Sequence, residues 1–264
     1  MKIFDWRGLI SAFQTITAIP VPGKGCENAE DSFIWFPWVG FVLGAAAWGT
    51  AYLAMQAPLN AELRLFWILI TAVFIVTLWA LLTRGFHLDG LADMCDGFGG
   101  GWTKERVLEI MRDSRIGSFG VIALILGLTL KSLAAAMLLA GGNWAGLLLA
   151  PVLARWVMVY QASFNVYARR DAAKVSMANH FIDKACAAHF AGACFHAVSA
   201  LVLVCFMWSL PAIPVLEVAL AVFLTMLTVG YISRSKIGGV TGDILGATCE
   251  LAETAGLTAA ALCL

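Results

Sequence analysis

The chain has 264 residues, of which 61% are hydrophobic and only 13% charged, with 17 basic and 17 acidic residues and no net charge. Soluble domains carry about a quarter of their residues as charges, so this composition excludes an ordinary soluble globule and places the chain among polytopic membrane proteins. The balanced charge singles out no partner, and no nucleic acid is expected; the seven scattered cysteines, without a Cys-x-x-Cys pair, read as small packing residues in a reducing compartment and not as a zinc site.

The opening stretch "MKIFDWRGLISAFQTITAIPVPG" does not read as a signal peptide: Gln14, Thr15 and Thr17 interrupt its apolar part and no small-x-small cleavage site follows. Trp6 and Arg7 ahead of Leu9, Ile10 and Phe13 predict a short interfacial helix, which Pro20 and Pro22 end. Apolar segments follow at 34–56, 62–83, 118–140, 144–163, 187–209, 212–232 and 243–262. Most are near the ~20 residues that cross hydrocarbon. The expected fold is therefore all-α, a polytopic integral membrane protein with about seven transmembrane helices, the range being six to eight because Asp243, Glu250 and Glu253 lie in the last segment. Helices are required because an open sheet edge cannot be satisfied in lipid. Trp35, Trp38, Trp67, Trp79, Trp144 and Trp208 near segment ends fit an aromatic belt.

Basic residues orient the chain. Fourteen of the 17 fall in the N-terminal arm and in the loops at 84–117, 164–186 and 233–241, while the intervening loops hold only Arg64, and Lys131 and Arg155 lie inside segments. The positive-inside rule places the arm and those three loops in the cytoplasm. No internal repeat or soluble domain interrupts the pattern, so residues 1–264 read as a single transmembrane domain.

The 84–117 loop carries chemistry. In "HLDGLADMCDG", Asp89, Asp93 and Asp96 are spaced i, i+4, i+7, which stacks three carboxylates on one helix face. Like charges so placed repel, and more strongly near low dielectric, so the arrangement asks for a bound cation. Oxygen donors without Cys or His suit a hard ion such as Mg²⁺, which keeps waters and shares its shell with a substrate phosphate. Gly90, Gly97 and the glycines at 99–101 allow close approach or a turn, without forming a P-loop. Val107, Leu108, Ile110 and Met111 predict a short amphipathic helix, and Arg84, Lys104, Arg106, Arg112 and Arg115 put positive charge in the same loop. Carboxylates for a cation beside guanidinium forks for non-bridging oxygens suit a metal-bridged diphosphate. A second acidic set, Asp243, Glu250 and Glu253 in "GGVTGDILGATCELAET", begins on the same predicted membrane side.

Three stretches, "HLDGLADMCDG", "RVLEIMRDSRIGSFGVIAL" and "GGVTGDILGATCEL", together with the opening "LISAFQTITAIPVP", resemble the adenosylcobinamide-GDP ribazoletransferase (cobalamin 5′-phosphate synthase) family. Between about 141 and 235 the likeness is looser, carried by Arg155-Trp156 and Tyr167-Ala168-Arg169. The resemblance implies a Mg²⁺-dependent enzyme of the prokaryotic inner membrane, its active site facing the cytoplasm. It would join adenosylcobinamide-GDP to α-ribazole or its 5′-phosphate, releasing GMP. On that reading Asp89, Asp93, Asp96, Asp243 and Glu250 are expected around the metal, and Arg84, Lys104, Arg112, Ser114 and Arg115 on the diphosphate. His87, Asp93 and Asp113 are the candidates for proton transfer. His180, His189 and His196 are assigned to structure, and a homo-oligomer is left open. The rival from another class is a divalent-cation transporter or channel, with Lys131, Arg155 and Glu217 lining a path.

Overall fold

A computed structural model describes residues 5–169 and 177–264; Arg170 and Lys174 of the basic 164–186 loop, and the side chain of His180, lie outside the described residues. The first helix is α1 (Trp6–Ile16), begun by Asp5, whose carboxylate accepts from the Arg7 N–H at 3.0 Å, and turning Ile10, Phe13 and Ile16 inward against the protein. A 3-10 turn (Ala29–Trp35) leads into α2 (Phe36–Met55), and then come α3 (Ala61–Leu82), α4 (Phe86–Gly100), α5 (Lys104–Ile110) and α6 (Ser118–Gly141). The rest is α7 (Gly146–Phe164), α8 (Met177–Lys184), α9 (Ala187–Trp208), α10 (Ala212–Ile237) and α11 (Gly242–Cys263).

Six stretches are long and apolar enough to cross a membrane: Ala29–Met55, Ala61–Leu82, Ser118–Gly141, Gly146–Phe164, Ala187–Trp208 and Ala212–Ile237. The protein is thus a polytopic all-α membrane protein. Exposed Phe66, Ile70 and Phe74 on α3, Ile122 and Ile125 on α6, Val202 and Phe206 on α9, and Leu220 and Leu224 on α10 form the outward apolar surface that lipid covers. α7 is buried nearly all round, as a helix apolar on every side must be.

The seventh expected segment becomes α11, whose 22 residues match α3 in length but include three carboxylates. Those charges stay out of lipid because α11 lies inside the bundle, against α4, α6, α7 and α10.

Most of the acidic loop is helix, α4 and α5, as the spacing of its aspartates and of Val107, Leu108, Ile110 and Met111 implied. α4 has 15 residues; at 1.5 Å per residue it is about 22 Å long, short of the ~30 Å hydrocarbon core. It starts from a two-residue left-handed turn, Arg84 at φ 56° and Gly85 at φ 65°, which reverses the chain after α3 and lays α4 along α11. Two glycines set that contact. A Cβ on Gly90 would lie 2.6 Å from the Asp243 carbonyl oxygen, and one on Gly246 would lie 3.1 Å from the His87 Cα. The two backbones touch where side chains would otherwise separate them.

Gly90→Val should therefore destabilise the folded protein by about 1–3 kcal/mol or more, as overpacking against backbone does. Gly49→Ala, on α2 with nothing within 4 Å of the added Cβ, should be neutral or stabilising by up to about 1 kcal/mol. Thermal unfolding in detergent checks both; a Gly90→Val protein as stable as the parent would contradict the crossing.

Candidate active site

The contact at Gly90 puts the acidic faces of α4 and α11 side by side. Asp89 is exposed, Asp93 half-buried and Asp243 partly covered. Burial first, then the neighbouring Asp243 and Asp89 carboxylates, pushes the Asp93 carboxyl up to about 7. Three carboxylates from two distant stretches thus share one region.

Asp243 is not left alone there. Arg169 Nη2 donates to its Oδ2 at 2.8 Å and to the Met111 carbonyl at 3.3 Å, and the Thr241 hydroxyl donates to the same carboxylate oxygen at 3.1 Å. A short parallel strap holds Arg169 in place: Ala168 N–H donates to Val240 O and Val240 N–H to Val166 O, both at 2.9 Å. A Cβ on Gly239 would run into the Val166 carbonyl, so glycine is what lets the strap close.

Asp96 faces elsewhere. Its two oxygens accept the backbone N–H groups of Gly117 and Gly120 at 2.7 and 2.8 Å, so it caps the start of α6. A carboxylate is well placed against the positive end of a helix. Glu250 is likewise engaged, accepting from buried Lys131. Asp113 and Arg115 hold each other: Arg115 donates through Nε and Nη2 to the two Asp113 oxygens, the shorter bond being 2.6 Å. Those hydrogen bonds hold the exposed Asp113 carboxyl down at about 2. Exposed pairs of this kind are weak, so an incoming anion competes for the Arg115 fork. Arg84, Lys104, Arg112 and Ser114 are all exposed. His87 is fully buried with neither ring nitrogen hydrogen-bonded, and burial, then Arg155, pushes its imidazole down to about 3.

A family model described as "Cobalamin-5-phosphate synthase" matches residues 8–261. The chain belongs to the cobalamin-5-phosphate synthase family. Among curated relatives it is 41% identical to adenosylcobinamide-GDP ribazoletransferase of Chlorobium phaeobacteroides (strain BS1), over 94% of each chain. The protein of the same name from Chlorobaculum tepidum is 40% identical, over 97% of this chain and 95% of its own, and that from Syntrophobacter fumaroxidans 37%, over 96% and 97%. No solved structure matches the chain.

For a member of the cobalamin-5-phosphate synthase family, the donor chemistry at the α4–α11 contact suits a hard dication: oxygen ligands only, and carboxylates whose mutual repulsion a cation relieves. Among the described residues no group of three or more Asp, Glu, His or Cys side chains is arranged to hold a metal ion by itself.

Arg169 is the residue that sequence reasoning did not place at this site. Its only signal was the Tyr167-Ala168-Arg169 match, since its partner lies 74 positions on. Below the site, the acidic and basic residues inside the bundle neutralise one another. Lys131 contacts Glu250 and, at 2.8 Å, Glu253; Arg155 contacts the other Glu253 oxygen; and the Lys131 ammonium sits 5.9 Å over the Trp79 ring. Lys131 and Arg155 thus form internal pairs, and do not line the path a transporter would need. His189 approaches Asp31 at 3.3 Å, and Trp38 Nε1 donates to His196 at 3.1 Å; both histidines are part of the packing.

Removing one partner of a buried ion pair leaves an uncompensated charge. Lys131→Met should destabilise the protein by about 3–5 kcal/mol, and adding Glu250→Gln should restore part of the loss. Unfolding temperatures in detergent report both; equal stability of Lys131→Met and parent would contradict a paired cluster.

Proposed function

We propose that the protein joins adenosylcobinamide-GDP to α-ribazole, or its 5′-phosphate, releasing GMP, at a site on the cytoplasmic face of a prokaryotic inner membrane. The observation that carries this reading is the meeting of Asp89, Asp93 and Asp243 where α4 crosses α11, in a chain whose relatives are named adenosylcobinamide-GDP ribazoletransferase. The positive-inside distribution of the basic residues supports the orientation.

In the reaction the ribose 3′-hydroxyl of the acceptor forms a bond to the phosphorus that carries the cobinamide arm. The bond from that phosphorus to GMP breaks, and the hydroxyl proton passes to a protein base. Phosphoryl transfer asks a protein mainly for positioning and charge neutralisation. Asp89, Asp93 and Asp243 would hold Mg²⁺, which when bound neutralises diphosphate oxygens. Asp96 and Glu250 fall outside this set because their oxygens are already engaged. Arg169 aims Asp243 and, with Arg115 released from Asp113, offers forks for non-bridging oxygens. The hydroxyl proton would pass to whichever carboxylate of this set the ion leaves free, while His87 is enclosed by the bundle.

Chelation with EDTA should abolish GMP release, and Asp89→Asn should lower kcat by about a hundredfold or more at normal expression, the scale for removing one key charge-stabilising group. Full activity of the parent in excess chelator would remove the metal from the proposal. Arg169→Lys should fail to restore what Arg169→Ala loses, because a lysine cannot reach Asp243 and the Met111 carbonyl with one planar fork. Steady-state rates on vesicles measure this, and lysine rescue would assign Arg169 a mere charge.

A further inference from the structure

We propose that Cys186 is a reactive thiol that peroxides oxidise, with His189 as its base and Asp31 as the residue that orients the base; this is independent of the reaction proposed above. Cys186 is the N-cap of α9, a 22-residue helix, and is exposed. Its Sγ lies 3.2 Å from His189 Nδ1, and His189 Nε2 lies 3.3 Å from Asp31 Oδ1. The Cys186 backbone N–H donates to the same Nδ1 at 3.2 Å. That bond makes Nδ1 the acceptor and leaves the imidazole proton on Nε2, directed at the Asp31 carboxylate. Asp31 belongs to the 3-10 turn, 158 positions from His189, and Asn28 donates to its other oxygen at 3.5 Å. The remaining charges on the adjoining segments are Glu30 and Lys184, which pair at 3.8 Å, and Asp183, next to Lys184 in the chain.

A nucleophile within hydrogen-bond reach of a base that a third group orients is the arrangement that activates a thiol. Two further features favour the thiolate: a place at the positive end of a helix, and an adjacent imidazole that becomes imidazolium. Cys26 gives the contrast within the same protein. Its Sγ donates to the Asn28 carbonyl at 2.9 Å and lies 3.3 Å from the Ser11 hydroxyl, neither of which can take its proton. Among the described residues no group of three or more His, Cys, Asp or Glu side chains could hold a metal ion. His189 turns its two nitrogens to different partners, as a relay does and a chelate does not. Ala185, Ala187 and Ala188 flank Cys186 and offer nothing to grip a large substrate, which leaves a small electrophile as the reactant. In the step, the thiol proton passes to His189 Nδ1 as the sulfur attacks one oxygen of the peroxide. An S–O bond forms, the O–O bond breaks, and the departing oxygen takes the proton from His189. With hydrogen peroxide that oxygen leaves as water, the peroxide is reduced, and the sulfur is oxidised to sulfenic acid.

The test treats the full chain in detergent with hydrogen peroxide and dimedone at about pH 7 and locates the tag by mass spectrometry. Cys186 should be tagged about tenfold faster than Cys26, because an ordinary thiol is only a few per cent thiolate at that pH. His189→Gln should slow tagging of Cys186 by about tenfold, and Asp31→Asn by about threefold, since the imidazolium that forms loses its carboxylate. If His189→Gln does not fold, Asp31→Asn carries the same comparison. Iodoacetamide labelling separates chemistry from access: at about pH 10, where an exposed thiol is ionised without help, parent and variants should label alike. Equal tagging of Cys186 and Cys26, parent-like tagging of the variants at the lower pH, or a gap that persists at the higher one would overturn the assignment.

Discussion

The close crossing of α4 and α11 at Gly90 and Gly246 is the contact on which the functional region depends. With any larger side chain there the helices separate, and Asp89 and Asp93 lose Asp243. The crossing is held from both sides. Asp96 ties the far end of α4 to the amides that begin α6, and the strap at Val166–Ala168 ties the start of α11 to the end of α7 through Val240. Each tie uses a backbone group that would otherwise need a partner away from water.

The charges inside the protein divide into two kinds. Lys131, Arg155, Glu250 and Glu253 sum to zero and are buried together, which lets α11 carry acid into the middle of a membrane bundle. Asp89 and Asp93, by contrast, meet like charge, which Arg169, paired with Asp243, partly offsets. Clustered carboxylates are unfavourable unless a cation arrives. The first group fixes a structure, and the second leaves like charges beside one another.

Much of this was legible in the sequence. Hydropathy and length located the membrane segments because helices are what lipid permits, and alternating basic loops fixed their number within a helix. The signature stretches located the acidic residues. What the sequence could not separate was the use of each carboxylate. The i, i+7 spacing of Asp89 and Asp96 looks the same whether the second residue faces a ligand or caps a neighbouring helix, and only the position of α6 decides. Glu250 reads as a ligand until Lys131 is found beside it, 119 positions away. Arg169 was hidden for the same reason: its place is set by a strap between segments far apart in the chain.

The most direct measurement is a density map of the protein with Mg²⁺ and an unreactive analogue of adenosylcobinamide-GDP. It should show one ion region bounded by the carboxylates of Asp89, Asp93 and Asp243 and by diphosphate oxygens, with Asp96 still on the α6 amides. An ion elsewhere, or α4 and α11 carboxylates on opposite sides of the bilayer, would contradict it.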